Sequence, residues 1–291
     1  MSEIIDGRAM ALLIRSEVKA KIEEEELQPN LAVVLVGDDP ASKAYVRMKR
    51  RACEAVGIGV RVVAVSEVIA QEVLLEKIEE LNTDSLVTGI LIQLPLPSHI
   101  NTAHVNETIR PEKDVDGFHA VNVGRLTLYS HETYFHPCTP LGILKTLKNV
   151  LGEKGFVGKK AVVVGQSMIV GRPTAIMLQN EFCTVTMCDK HTKDLKREME
   201  RAEILVTATG VPHLIDRDII SVCDPGVVVI DAGFSKKEGE LVGDVDFNGV
   251  KDMVGAITPV PGGVGPMTVA MLTRNMLKAA RFEKSRSVCS S

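Results

Sequence analysis

The stretch SKAYVRMK sets a tyrosine and a lysine one helical turn apart, Tyr45 and Lys49, with Ser42 just ahead of them. Read at helical spacing as far as Val56, it has an apolar stripe of Ala41, Tyr45, Met48, Ala52 and Val56, with Lys43, Arg47, Arg50 and Glu54 opposite. Lys49 breaks that division, because it lies on the face expected to turn inward. Two readings are open: a stem laid along apolar surface with its ammonium in water, or an amine held in a pocket for proton transfer.

Other residues have types suited to chemistry. In VTGILIQLPLP, Gln93 stands at the carboxyl end of a buried strand that Pro95 and Pro97 terminate. Ligands of open α/β sheets bind at that end, although loop backbone would also satisfy a glutamine. PEKDVDGFH holds Asp114 and Asp116 in a tight turn closed by Gly117, where ordinary turn chemistry competes with ligand binding. KKAVVVGQSMIVGRPTAIML runs strand, turn, helix, with Gly165 ending the strand, Gly171 in the turn and Pro173 near the helix start. That turn aims free N–H groups and a positive helix end at one point, suited to a pyrophosphate, although five residues separate the glycines and the usual G-x-G-x-x-G spacing is absent. After the next strand, Asp189 stands where a ribose hydroxyl would be met, and Lys190 could instead face a ribose phosphate. PVPGGVGPMT, from Pro259 to Thr268, reads as a rigid backbone loop laid against a ligand.

The elements that must position these groups alternate strand and helix from end to end, the pattern of α/β layers with parallel sheets. LAVVLVG, the helix bearing Lys49 and closing at Gly57, GVRVVAV, a helix from about Ala70 to Asn82, and VTGILIQL make one βαβαβ unit. Pro95 to Pro140 reads as a long functional loop or domain connection. Helix resumes at about Pro140 with Thr139 as N-cap. KKAVVVG, TVTMCD, EILVTATG and GVVVIDAG supply the strands of a second doubly wound unit. A helix from Thr268 to about Arg281 follows, then a tail, EKSRSVCSS, expected to be disordered.

Composition narrows the function. The chain has 291 residues, enough for two domains, and a net charge of -4, which leaves no surplus of Lys and Arg to displace counterions from nucleic acid. The basic cluster Arg47, Lys49, Arg50 and Arg51 is a local exception suited to an anionic small molecule or to solvent. Six scattered cysteines suggest neither a disulfide framework nor a metal site, and reduced thiols in the cytosol are expected. The N-terminal MSEIIDGRAM lacks an apolar targeting region and no run is long enough for a membrane span, so neither export nor membrane contact is expected.

Together the motifs become specific. S-x-x-Y-x-x-x-K at Ser42, Tyr45 and Lys49, QLPLP from Gln93, KDVDGFH from Lys113, CTP-x-G from Cys138, G-x-S-x-I-V-G-x-P from Gly165, VGDVDF from Val242 and TPVPGGVGPMT from Thr258 occur in this order. The chain resembles the bifunctional methylenetetrahydrofolate dehydrogenase/methenyltetrahydrofolate cyclohydrolase family over nearly its whole length. The resemblance implies two doubly wound α/β domains with the folate cleft between them. Residues 1–138 plus 268–291 would form the N-terminal folate domain, and 139–267 a Rossmann-type NAD(P)-binding domain. It also implies oxidation of methylenetetrahydrofolate to the methenyl form and hydrolysis to formyltetrahydrofolate, in cytoplasmic one-carbon metabolism and purine biosynthesis, by a homodimer.

Residue by residue, the resemblance makes Lys49 catalytic, with Gln93 orienting it and Asp116 holding the pterin. Tyr45 would stack on a folate ring, and Ser42, Ile92, Leu94, Pro261, Gly262, Gly263, Val264 and Gly265 would complete the substrate site. Gly165, Gln166, Ser167, Ile169, Gly171, Arg172, Pro173, Asp189, Lys190, Gly210 and Phe234 would bind the cofactor. The implied chemistry explains these types. Water attacks a cationic methenyl carbon and a base must take its proton, and desolvation of Lys49 beside that cation would lower its pKa and leave a neutral amine. Gln93 would fix the amine without adding charge, and the carboxylate of Asp116 suits the guanidine-like edge of a pterin. One departure concerns the nicotinamide: Gln166 stands where many relatives carry an arginine able to pair with a ribose phosphate. NADP is the expectation, with NAD the alternative. Two competing readings are a dehydrogenase without cyclohydrolase activity and a non-catalytic nucleotide-binding module.

Overall fold

The computed structural model describes residues 2–129, 134–237 and 239–289. The chain divides into two compact units, Leu13–Cys138 with Val269–Ser291, and Met1–Leu12 with Thr139–Thr268. It opens with the short strand β1 (Glu3–Ile4) and the helix α1 (Gly7–Glu24). The sequence reading puts residues 1–12 in the first domain. They group instead with the second unit, because Glu3 and Ile4 pair with Ala256 and Ile257 in a parallel ladder.

The first unit is built on three parallel strands, β2 (Asn30–Val36), β3 (Gly59–Val65) and β4 (Gly89–Ile92), in the order β3-β2-β4. β2 is central and buried from Leu31 to Val36, as its unbroken β-branched and aliphatic run requires. Between β2 and β3 lies α2 (Pro40–Glu54), started by Asp39, whose carboxylate accepts the Ser42 N–H at 2.7 Å, with Pro40 at the first helical position. Gly57, with φ of +86°, turns the chain out of that helix in the left-handed region. Between β3 and β4 lies α3 (Gln71–Thr83), which buries Leu74, Ile78 and Leu81, one residue per turn, against Ala32, Val34, Ile90 and Ile92.

The stretch read as a loop between Pro95 and Pro140 contains two short helices, α4 (Thr102–Thr108) and α5 (Ala120–Thr127). Both are too short to show a period, and a side chain starts each: Asn101 accepts from Ala103 and His104 N–H, and His119 from Val121 N–H. Helix α6 (Cys138–Leu151) starts two residues before the expected Pro140.

In the second unit, β5 (Lys160–Val164), α7 (Gly171–Asn180), β6 (Thr184–Cys188), α8 (Leu195–Glu198), β7 (Ile204–Thr207), α9 (Arg217–Ile220) and β8 (Val228–Asp231) follow. A small antiparallel pair, β9 (Ser235–Lys237) and β10 (Glu240–Val242), comes next, then α10 (Phe247–Val250) and β11 (Ala256–Ile257). The six-stranded sheet has the order β1-β11-β8-β7-β5-β6, with parallel pairing throughout. Consecutive residues alternate between two cores. Ala161, Val163, Ile204, Val206, Val228 and Ile230 pack with Ile143, Leu147, Ala175 and Leu178, whereas Val162, Val164, Leu205 and Val229 pack with Met199, Ile220 and Val250. Both faces are therefore covered, the doubly wound arrangement. The last helix, α11 (Val264–Cys289), extends well beyond the expected Arg281, so the tail from Glu283 to Cys289 is helical; residues 290 and 291 lie outside the described residues. Its extension is tied to Glu25, the residue just after α1, by Arg281, which makes two hydrogen bonds to the Glu25 carboxylate, and by Lys284, which donates to Glu25 C=O at 2.7 Å.

Candidate active site

Helix α2 does not present the stripe that its apolar residues suggest. Met48 is 42% exposed and Ala41 is exposed, while Ser42, Val46, Ala52 and Cys53 are buried. The inward face is centred on Val46 and Cys53, and Lys49, half-buried, lies on the flank of that face next to Cys53. Its Nζ donates to Gln93 Oε1 at 3.1 Å. Gln93 is 7% exposed, just past the end of β4, and its own amide N–H donates to Leu94 C=O at 2.8 Å, which leaves its oxygen facing the lysine. Both readings of Gln93 hold together, since loop backbone takes its N–H and Lys49 its carbonyl. β2 lies between β3 and β4, so the strand order reverses at β2, and ligands of open α/β sheets bind at the carboxyl ends of the strands at such a point.

The turn at KDVDGFH gives its two acids different work. Asp114 is 2% exposed and accepts from Gly117 N–H at 3.0 Å, His119 N–H at 2.8 Å and Asn122 Nδ2 at 2.8 Å. Burial pushes its pKa up to about 7 against those donors. Asp114 thus holds the turn, and the next acid along, Asp116, is half-buried. The Cys138 thiol is fully buried, and its pKa is raised well above the ordinary value, first by burial and then by the charge of Asp116 and a hydrogen bond between the two side chains. The charge of Lys49 acts on the same thiol in the opposite sense. Lys49 and Asp116, from separate elements, thus act on the same thiol. Asn275 of α11 completes this region, donating to Val115 C=O at 2.8 Å and His136 C=O at 3.0 Å, with Cys138 Sγ 3.5 Å away. Tyr45, one turn before Lys49, has a hydroxyl whose pKa burial raises.

Among the other expected substrate residues, Ile92 is 4% exposed and Val264 is 5% exposed, both committed to hydrophobic cores, so only their backbone remains for a ligand. Leu94 packs partly on the core and carries the carbonyl that holds Gln93. Pro261 and Gly265 are exposed, and Gly262 has φ of +122°. Gly263 is buried, and a β-carbon there would lie 2.6 Å from Thr258 Cβ.

In the second unit, the turn after β5 has the geometry a phosphate needs. A β-carbon at Gly171 would lie 1.9 Å from Gly165 O, and one at Gly165, whose φ is +112°, would lie 2.4 Å from Ala208 O. Only glycine lets the start of α7 and the loop after β7 close around this point. Ser167 Oγ accepts from Val170 N–H at 3.2 Å and Gly171 N–H at 3.4 Å, and Ile169 is 38% exposed. Arg172 is exposed, with Nε donating to Gln166 C=O at 3.1 Å, so its guanidinium is folded back on the turn; Pro173 is buried. Asp189 Oδ1 accepts from His191 N–H at 2.8 Å, and Lys190 is exposed. Gly210 has φ of +71°, its carbonyl accepts from Ser235 Oγ at 2.6 Å, and Phe234 beside it is 46% exposed. β5 lies between β6 and β7, where the direction of winding reverses, so these residues sit at the second sheet's switch point.

Residues 5–116 match the catalytic domain of the tetrahydrofolate dehydrogenase/cyclohydrolase family, and residues 137–284 match its NAD(P)-binding domain. The chain belongs to this family. It is 47% identical over 287 residues to the bifunctional protein FolD of Halothermothrix orenii, covering 97% of this chain and 99% of that one. It is 49% identical to the FolD protein of Moorella thermoacetica, covering 96% and 99%. The crystal structure of the bifunctional FolD methylenetetrahydrofolate dehydrogenase/cyclohydrolase of Campylobacter jejuni matches with a TM-score of 0.93 and 45% identity, over 97% of this chain and 100% of that one. The Trypanosoma brucei dehydrogenase-cyclohydrolase, complexed with NADP and an inhibitor, matches with a TM-score of 0.91 and 35% identity, over 97% and 98%. Membership in the tetrahydrofolate dehydrogenase/cyclohydrolase family accounts for one unit with convergent polar groups and a second with a glycine turn. The residues that single-residue reasoning left unassigned are Cys138 and Asn275; CTP-x-G was a sequence signal for the first, and nothing local marked the second.

Proposed function

We infer that the chain oxidises methylenetetrahydrofolate to methenyltetrahydrofolate with a nicotinamide dinucleotide and hydrolyses the product to formyltetrahydrofolate. The observation that carries this reading is the Lys49 to Gln93 hydrogen bond, 3.1 Å, at the carboxyl end of the first sheet. Gln93 aims the amine through a neutral acceptor, which leaves Lys49 free to give or take a proton. In this reading Lys49 takes the proton of the attacking water, Asp116 accepts paired hydrogen bonds from the pterin edge, and Tyr45 offers a flat face to the folate ring. Pro261 to Gly265 supply backbone to the substrate.

The second unit's residues fit a dinucleotide, since the Gly165 and Gly171 turn is a cradle that any β-carbon would fill. When bound, the nicotinamide accepts the hydride. Gly165, Ser167 and Gly171 supply the turn for the phosphates, and Asp189 and Lys190 flank the ribose. NADP is the preferred form in this reading: Arg172 lies on the turn beside Gln166, which supplies a cation where the family arginine is missing, and Lys190 adds another. We place the enzyme in the cytoplasm; among the described residues, no helix is long and apolar enough to cross a membrane.

A homodimer is proposed through β3. Among the described residues this strand pairs only with β2, so its outer edge is open, and Val62 on it is 36% exposed.

The deciding experiment is incubation with methylenetetrahydrofolate and NADP or NAD in turn, following methenyltetrahydrofolate absorbance and its later loss. Turnover is expected with both, faster with NADP. Absence of methenyl formation with either nucleotide overturns the reading, and a clear NAD preference overturns the choice of NADP.

A further inference from the structure

β7 and β8 are neighbours in the second sheet, and their last residues, Thr207 and Asp231, face each other in register. The loops that follow, Ala208 to Gly210 and Ala232 to Phe234, lead to two of the residues expected at the cofactor. Asp244, two residues past β10 and quoted in the VGDVDF motif, is wedged between them. It is completely buried, and its Oδ2 accepts the Thr209 N–H at 2.6 Å. On its other side a β-carbon at Gly233 would lie 2.1 Å from Asp244 Cγ and Oδ1, so Gly233 is glycine to admit this carboxyl group. The Asp244 backbone N–H donates to Asp231 Oδ1 at 3.1 Å.

The two acids differ in how they are satisfied. Asp231 accepts from Gly233 N–H at 2.9 Å, Val245 N–H at 2.9 Å and the Thr207 hydroxyl at 3.2 Å. Asp244 Oδ1, by contrast, is buried with no hydrogen-bond donor among the described residues. An unmet buried carboxylate oxygen costs stability, so the acid contributes something other than stability at this position. What its place between the loops accomplishes is to hold Thr209 and Gly233 against one body.

We propose that Asp244 is a positioning residue for the nicotinamide dinucleotide: its carboxylate ties the loop after β7 to the loop after β8 and so sets the backbone at Gly210 and Phe234. The proposal rests on the reading of this unit as the dinucleotide site. Its test compares the full-length protein with Asp244→Asn and Gly233→Ala, the second of which displaces the carboxyl group from the opposite side. Hydrolysis of methenyltetrahydrofolate consumes no dinucleotide, so it reports whether the rest of the molecule is intact. Both variants are expected to raise the dinucleotide KM about tenfold or more with kcat little changed, the scale of one charge-assisted hydrogen bond, and to hydrolyse methenyltetrahydrofolate at close to the wild-type rate. If one variant fails to fold, the other carries the test. A wild-type dinucleotide KM in folded Asp244→Asn overturns the proposal, as does equal loss of both activities, or failure of both variants to fold. A wild-type protein that binds neither NADP nor NAD fails the underlying reading instead, and takes the proposal with it.

Discussion

Lys49 and Gln93, forty-four positions apart, are joined by a hydrogen bond of 3.1 Å, and Gln93 is held for it by its own bond to Leu94 C=O. The pair is directional: the amide oxygen faces the amine because the amide nitrogen is occupied. If the amine performs the proton transfer, Lys49→Met, similar in length and unable to carry a proton, abolishes hydrolysis of methenyltetrahydrofolate while the circular dichroism spectrum and melting temperature stay close to wild type. Hydration at the wild-type rate in that variant refutes the assignment.

Gln93→Glu tests the neutrality of the acceptor. It keeps the shape and places a carboxylate next to the Lys49 nitrogen, which stabilises the ammonium form. The pH profile of hydrolysis is expected to move to the alkaline side by about one unit or more, the scale of an adjacent opposite charge. The rate near neutral pH falls accordingly and recovers as pH rises. An unchanged profile would mean that Lys49 is not the titrating base.

These two residues also show how far the sequence could be read. Spacing placed Lys49 on the inward arc of its helix because a 3.6-residue period constrains every side chain of α2 together, whereas the centre of that arc was misjudged by counting Ala41 and Met48 as core. Met48 is exposed because it lies nearly across the helix from Val46 and Cys53, which are buried. Strands such as β2 and β5 were legible as unbroken apolar runs. Helices α4 and α5 were not, since stretches of two turns show no period and their starts depend on single capping side chains. Asp114 and Asp116 could not be told apart in sequence, because what separates them is three donors converging on the first. The Asp244 wedge is set by contacts among β7, β8 and β10 loops that no local spacing encodes.

Gly171→Ala probes the turn after β5. A β-carbon there would lie 1.9 Å from Gly165 O, a backbone atom with no side-chain freedom to retreat. The helix start must shift, so the backbone N–H groups no longer point at one place. The expected result is loss of dehydrogenase activity by about a hundredfold or more, on the scale set by misplacing a bound group by about 1 Å, with hydrolysis of supplied methenyltetrahydrofolate retained. Isothermal titration with NADP separates lost binding from lost chemistry, and unaltered affinity would count against the turn as the phosphate seat.

His136 gives a stability prediction whose sign can be worked out. It lies near Lys278 and Arg274, and burial first, then those two cations, bring its pKa down to about 4. An unfolded histidine titrates near about 6.5, so between the two values the unfolded chain binds more protons. The stabilising contribution is therefore complete above the unfolded value and is lost as pH falls toward 4, by about 3 kcal/mol at most. Asp114 acts in the reverse sense: with its pKa pushed up to about 7, the folded chain holds the extra proton and that contribution is lost as pH rises through 7. The net curve mixes the two, and a variant isolates one. His136→Gln removes the titration and keeps a polar side chain. In urea unfolding at about pH 7.5 and about pH 5, wild type should lose more stability than the variant on acidification. Parallel losses in the two proteins would show that His136 keeps its proton equilibrium unchanged on folding.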